Sequence, residues 1–225
     1  MLIKFIRLYL KHITSNKTIY VLLLVIFFLG IIAGNISVRK LIEEQQNELS
    51  KHIQEFMNFF VIEMVDNMEL FKVSLYREIR MLLLIIVLGF SIIGIPLIFF
   101  SIFIRGFTLG FAFSSILVSL GKDGIFTVAS IIIFKELLLV VVFISVAVAA
   151  VMFSMELLEC FIGKKFSFYN RRNLLKAKKV VAYNEKTDKV KIKIARYLSF
   201  VGMQLFVLLI AISIETVFLP VFIKI

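Results

Sequence analysis

Five uncharged, mostly apolar runs constrain this chain more than anything else in it. They cover residues 19–36, 81–104, 106–121, 137–155 and 198–214, and are sixteen to twenty-four residues long. Roughly 20 apolar residues rising 1.5 Å each cover the ~30 Å of hydrocarbon in a bilayer. Composition agrees: 61% of the 225 residues are hydrophobic, where a soluble domain sits nearer half. The expected fold class is therefore an all-α polytopic integral membrane protein. It has about five transmembrane helices plus an outer amphipathic segment.

The net charge of +11 does not point to nucleic acid, because of where it lies. Residues 1–18 carry Lys4, Arg7, Lys11 and Lys17 with no acid, and residues 156–196 carry twelve Lys/Arg against four acids. Two basic blocks between hydrophobic runs follow the positive-inside rule. No nucleic-acid reading motif or aromatic platform accompanies the charge. Five spans with a cytoplasmic N-terminus put both blocks (1–18 and 156–196) inside. Residues 37–80 then fall outside, Arg105 marks a tight inner turn, and the C-terminus ends outside. An even number of spans would place the second block on the wrong face. The first run is too long for the apolar core of a cleaved signal and is read as a retained anchor. Cys160 is the single cysteine, so no disulfide forms within the chain.

Lys135 and Glu136 interrupt an otherwise apolar stretch, "IIIFKELLLVVVF". If 137–155 spans alone, both charges sit at the outer interface, where a long side chain snorkels at little cost. Residues 124–134 then form a short re-entrant or interfacial segment. The alternative is one long kinked helix that holds both charges near mid-membrane, where they would mark an ion or substrate path. Neighbours on a helix point about 100° apart and do not pair with each other. Partners on other spans would be needed, and Arg105 and Glu215 lie toward opposite ends of theirs. The interfacial arrangement is preferred. Gly94 and Pro96 are read with this pair as helix-break positions at the outer interface.

Small residues four apart let helix backbones approach closely in lipid. Gly30 and Gly34 have this spacing in the first span, Gly106, Gly110 and Ser114 in the third, and Ser145 and Ala149 in the fourth. Between the first and second spans, Leu49, Ile53, Phe56, Phe60, Met64, Met68, Phe71, Leu75 and Ile79 recur at three or four, a helical stripe. Charges including Glu48, Lys51, Glu55, Glu69, Lys72 and Glu78 fill the other positions. This reads as one or two amphipathic helices on the outer face. The stripe is either self-packing or a docking surface for an outside partner. The basic loop 156–196 is suited to anionic lipid at the inner leaflet.

Catalytic signatures are sparse. His12 and His52 fall on opposite sides of the membrane in this topology, so they cannot share a metal. The chain has no H-E-x-x-H, no phosphate-binding glycine loop and no G-x-S-x-G elbow. Pairs such as Glu63–Asp66 are explained by a solvated helix face. No catalytic residue, cofactor or metal is expected, and the chain is read as a non-enzyme.

The strings "IYVLLLVIFFLGIIAGNIS" and "GFSIIGIPLIFFSIFIRGFTLGFAFSSILVSLGKDGI", with the fourth span running to "SMELL", resemble the stage II sporulation protein M family. The joint order carries the resemblance: Gly30/Gly34, an outer amphipathic stretch, Gly94–Pro96, Gly106/Gly110, then the basic loop. One departure is that family members often carry a proline before the fourth span, where Phe134, Lys135 and Glu136 stand here. The resemblance implies a non-catalytic scaffold of the engulfment complex of sporulating bacteria. Such a scaffold would position the peptidoglycan-degrading stage II sporulation proteins D and P at the septal membrane. The outer stripe, Leu49 to Ile79, and the outer ends of the spans would then contact partners. The alternative is a permease-like subunit of an ATP-driven exporter, with an ATPase on the basic loop and Lys135 or Glu136 in a path.

Overall fold

The computed structural model describes the backbone of residues 13–14, 16–62, 67–162 and 184–223; side chains at 56–62, 67, 70, 120–135, 159–162, 184–192 and 214–223 lie outside that description. Every element over these residues is helical. The helices are α1 (Lys17–Arg39), α2 (Glu43–Ile62), α3 (Asn67–Gly89), α4 (Gly94–Ile162) and α5 (Asn184–Ile223). Four stretches are long and apolar enough to cross a membrane: Lys17–Arg39, Gly94–Ser119, Glu136–Leu158 and Lys193–Ser213.

Glycine sets the tightest packing. A methyl group on Gly30 would overlap the Phe103 carbonyl oxygen and lie 2.9 Å from the Phe107 nitrogen. One turn on, a methyl on Gly34 would overlap the Phe107 oxygen and lie 2.7 Å from the Phe111 nitrogen. From the other side, Gly106 and Gly110 face the carbonyls of Phe27 and Ile31. Both helices advance by four residues together, so α1 and the first half of α4 run parallel, backbone against backbone. Small-residue contact of this kind drives helix association where lipid supplies no hydrophobic force. Serines on these helices mostly return their hydroxyls to the carbonyl four residues back, as Ser115 does to Phe111 at 2.7 Å and Ser145 to Val141 at 2.6 Å. Such bonds satisfy the polar group within its own helix.

α4 is assigned as one helix of 69 residues, yet it cannot be straight. Arg105 and Glu136 touch, whereas a straight helix would hold them ~46 Å apart. The chain therefore reverses between them. The Ser154 hydroxyl bonds the Ser91 carbonyl at 2.6 Å, in the same antiparallel register. Both pairings centre near Gly121. The second half of α4 becomes the middle of the bundle: 72% of its span is buried, against 28% for each of the other three. Leu139, Val142, Phe143, Val146 and Ala150 lie in this core.

α3 turns into α4 through residues 90–93, and Gly94 is buried against the Leu88 carbonyl. Pro96 follows in the first turn of α4, where its missing N–H costs nothing. α5 returns along α3 and α4. Tyr197 stacks on Phe153 at 4.7 Å and meets Phe90 edge-on at 5.7 Å, while its hydroxyl donates to the Ile86 carbonyl at 3.3 Å. Beside this cluster Lys193 pairs with Glu156 at 3.3 Å. α2 packs against α4 near the opposite end, through Ser119 and Ser50 at 3.1 Å.

These contacts revise the boundaries expected from sequence. The turn between the second and third passages lies at 90–93, not at Arg105. Residues 81–89 belong to α3, and 94–119 form one uninterrupted span around Arg105. The descent into the bundle begins inside the segment read as outer, with Ser74 and Glu78 already buried. The parallel register with α1 puts Gly94 and Pro96 level with the start of α1, the end that a cytoplasmic N-terminus would place inside. Residues 124–134, read as a separate short segment, have backbone continuous with α4.

Closing the α1–α4 crossing with a side chain should destabilise the fold. We expect Gly106→Val to cost about 1–3 kcal/mol through overpacking. Gly202→Ala should not destabilise, because a methyl there meets nothing within 4 Å and alanine is the better helix former. Resistance of the purified variants to unfolding in detergent checks both.

Candidate functional site

Three passages each bring one charge to the same point. α3 supplies Glu78, the first half of α4 supplies Arg105 and the second half supplies Glu136. Arg105 Nη1 donates to Glu78 Oε2 at 2.8 Å and Nη2 donates to Glu136 Oε2 at 3.1 Å. The guanidinium also lies over the Phe143 ring, 3.9 Å from its centroid. Phe143 stands two turns beyond Glu136, which brings both onto one face of the helix. Arg77 adds its Nε to the other oxygen of Glu78 at 3.2 Å. The side chains of Glu78 and Arg105 are 2% and 9% exposed; that of Glu136 is 19% exposed.

Depth gives the cluster its significance. Arg105 lies about 17 Å along its helix from Gly94 and about 21 Å from Ser119. It is therefore far from either end of the span. A charge at this depth is costly and persists where it is paired inside the bundle. Arginine suits the position because its planar fork serves two carboxylates while its face stacks on an aromatic ring. Nε of Arg105 is buried without a hydrogen-bond partner among the described residues, as is Nε2 of Gln204 on α5. With Arg77 counted, two cations meet two carboxylates and the cluster is neutral as a set.

The residues singled out from sequence are distributed as follows. Gly30, Gly34, Gly106 and Gly110 meet at the α1–α4 crossing. Ser114, Ser145 and Ala149 are buried on α4. Glu136 is bonded to Arg105, which stands near the middle of the 94–119 span, so it has the partner on another passage that the mid-membrane alternative required; the Lys135 side chain lies outside the described residues. Glu78, read as part of a solvated face, is among the most buried side chains of the protein. Along the proposed partner stripe, Leu49 and Ile53 are half-buried and Met68 is exposed. Phe71 and Leu75 pack onto the bundle's own core. Side chains of Phe56 and Phe60, and Met64 as a whole, lie outside the described residues. Sequence reasoning missed the cluster because its members are 27 and 31 residues apart. The available signal was a lone arginine inside a long apolar run, beside glycines already spaced for helix packing rather than for a turn.

The family model for stage II sporulation protein M matches residues 23–220. The match runs from α1 to the last helix and takes in the cluster. No curated protein and no solved structure matches the chain.

Removing one partner of a buried ion pair strands the other. Arg105→Met alone should cost about 3–5 kcal/mol. The triple substitution Arg105→Met, Glu78→Leu, Glu136→Leu should recover most of that loss, since apolar replacement of a whole buried cluster is often neutral. Protein level in membranes and resistance to detergent unfolding report the fold. A triple variant that folds but does not support sporulation would show that the charges act beyond stability.

Proposed function

The chain belongs to the stage II sporulation protein M family, and we propose that this sporulation-related membrane protein is a non-catalytic scaffold of the engulfment machinery. In this reading it positions peptidoglycan-degrading proteins at the membrane between mother cell and forespore. The family match over residues 23–220 supports the process. One structural observation favours a scaffold over a conduit: Arg105, Glu78, Glu136 and Arg77 are bonded to one another. Charges engaged in this way pin three passages together and make a rigid frame.

The basic residues give the orientation. Lys17 opens α1 at the end of the bundle where Lys193 and Arg196 stand, near Phe90, Phe153 and Tyr197. Two basic segments at one end favour that end as cytoplasmic, against anionic lipid. α2 then lies at the outer end, on the side of the cell wall, where clients that cut peptidoglycan must work.

A second reading has one observation in its favour. Glu136 sits at membrane depth and is not fully buried, as a permease-like subunit with a path through the bundle would require. It would need an ATPase on the cytoplasmic basic loop.

Crosslinking and recovery of the tagged full chain from sporulating cells separates the two. The scaffold predicts cell-wall hydrolases of the stage II sporulation protein D and P type among the captured partners. Capture of an ATPase without hydrolases would overturn it in favour of the permease.

A further inference from the structure

We infer that the outward face of α3, around Tyr76, Arg77 and Arg80, is a docking face for a membrane-spanning helix of a different protein that carries an aspartate or glutamate near mid-depth. The inference builds on the scaffold reading, in that a scaffold needs a surface for its client, and it is tested separately below.

α3 has two unlike faces. Ser74, Glu78, Leu82, Ile85 and Ile86 are buried against α4 and α5. On the other side Val73, Tyr76 and Arg77 are 61%, 70% and 58% exposed, and Lys72 and Arg80 are exposed too. This outward side would meet lipid if nothing covered it. Arg80 lies about 14 Å along the helix from Gly89 and about 20 Å from Asn67. That is too deep for its side chain to reach either interface easily, whereas Lys72, nearer the end, can snorkel. Among the described residues Arg80 has no hydrogen bond or ion pair.

Charge balance sharpens the point. The buried cluster is neutral once Arg77 is included, so it has no carboxylate to spare for Arg80. A cation facing hydrocarbon is among the most unfavourable surface groups a membrane helix can carry. A carboxylate on a neighbouring helix would neutralise it, and Tyr76 and Val73 beside it offer an aromatic and aliphatic contact. Self-association fits less well. Two copies related by an axis along the membrane normal would bring Arg80 toward Arg80 at one depth, and like charges oppose docking.

The test places a photoreactive benzoylphenylalanine at position 76 of the otherwise unaltered full chain, in membranes of sporulating cells. A second chain carries it at Leu29 of α1, which is also outward and 54% exposed but has no cation beside it. The expected result is a light-dependent adduct at position 76, absent at position 29, to another protein. The crosslinked peptide should fall in an apolar span containing an acidic residue. Arg80→Glu should lower the yield by about tenfold, the change that ~1.4 kcal/mol produces; Arg80→Lys should retain it. Adducts to lipid alone, to a second copy of this chain, to a span lacking an acid, or no adduct would overturn the inference. The two readings fail separately. An acid-bearing partner that is no hydrolase keeps the face and removes the hydrolase scaffold. Hydrolases recovered by pull-down with no protein adduct at position 76 keep the scaffold and remove the face.

Discussion

The contact of Arg105 with Glu78 and Glu136 is the interaction on which the bundle depends. A guanidinium inside hydrocarbon has no water to fall back on, so its donors must find acceptors within the protein. Two carboxylates from two other passages provide them. Each passage is thereby fixed in depth and in rotation, since a shift of one residue would turn its carboxylate about 100° away. Between lipid-immersed helices, where apolar contact discriminates little, this directional bond supplies register.

The glycine crossing and the ion cluster divide the work. Gly30, Gly34, Gly106 and Gly110 bring α1 and α4 to backbone contact around the level of Arg105. That contact is short-ranged and strong in dispersion, but it joins only two helices. The cluster adds α3 and the second half of α4, and the rings of Phe90, Phe153 and Tyr197 tie in α5 toward the basic end. Assembly therefore depends on different physics at different contacts: dispersion at the glycine crossing, ion pairing at the same level on the other side of Arg105, and aromatic packing near one end. The second half of α4 is nearly all apolar, and most of it is buried among its neighbours, with Leu137 and Val141 left exposed. Its one charge outside the basic end, among the described side chains, is the one Arg105 requires.

α3 illustrates how a helix of the bundle is concealed in sequence. Hydropathy excludes it because Lys72, Arg77, Glu78 and Arg80 are scattered along it, and residues 67–80 read as part of an amphipathic helix on the outer face. Within the bundle the inward face is mostly apolar and its one carboxylate is neutralised. The apolar stripe Phe71, Leu75 and Ile79, which suggested a site for outside partners, is the face used for internal packing. What remains outward on the described part of the helix is a mixed side, with Lys72, Arg77 and Arg80 among exposed apolar residues such as Val73, Tyr76 and Val87.

The membrane class, the glycine spacing and the segregation of basic charge were legible in the sequence, because each depends on local composition or on short helical repeats. Hydrophobic length against bilayer thickness fixes the first, and a four-residue spacing fixes the second. The site was not legible. Glu78, Arg105 and Glu136 have no common motif, and each alone looks like a loop or interface charge. The position of the turn was hidden for the same reason: cutting the long apolar stretch at its only charge seems natural until a partner makes that charge tolerable. Whether an ionisable residue ends a membrane helix or lies within it depends on what other helices place opposite it. That is a property of the packed bundle, decided by contacts across 27 and 31 residues of chain.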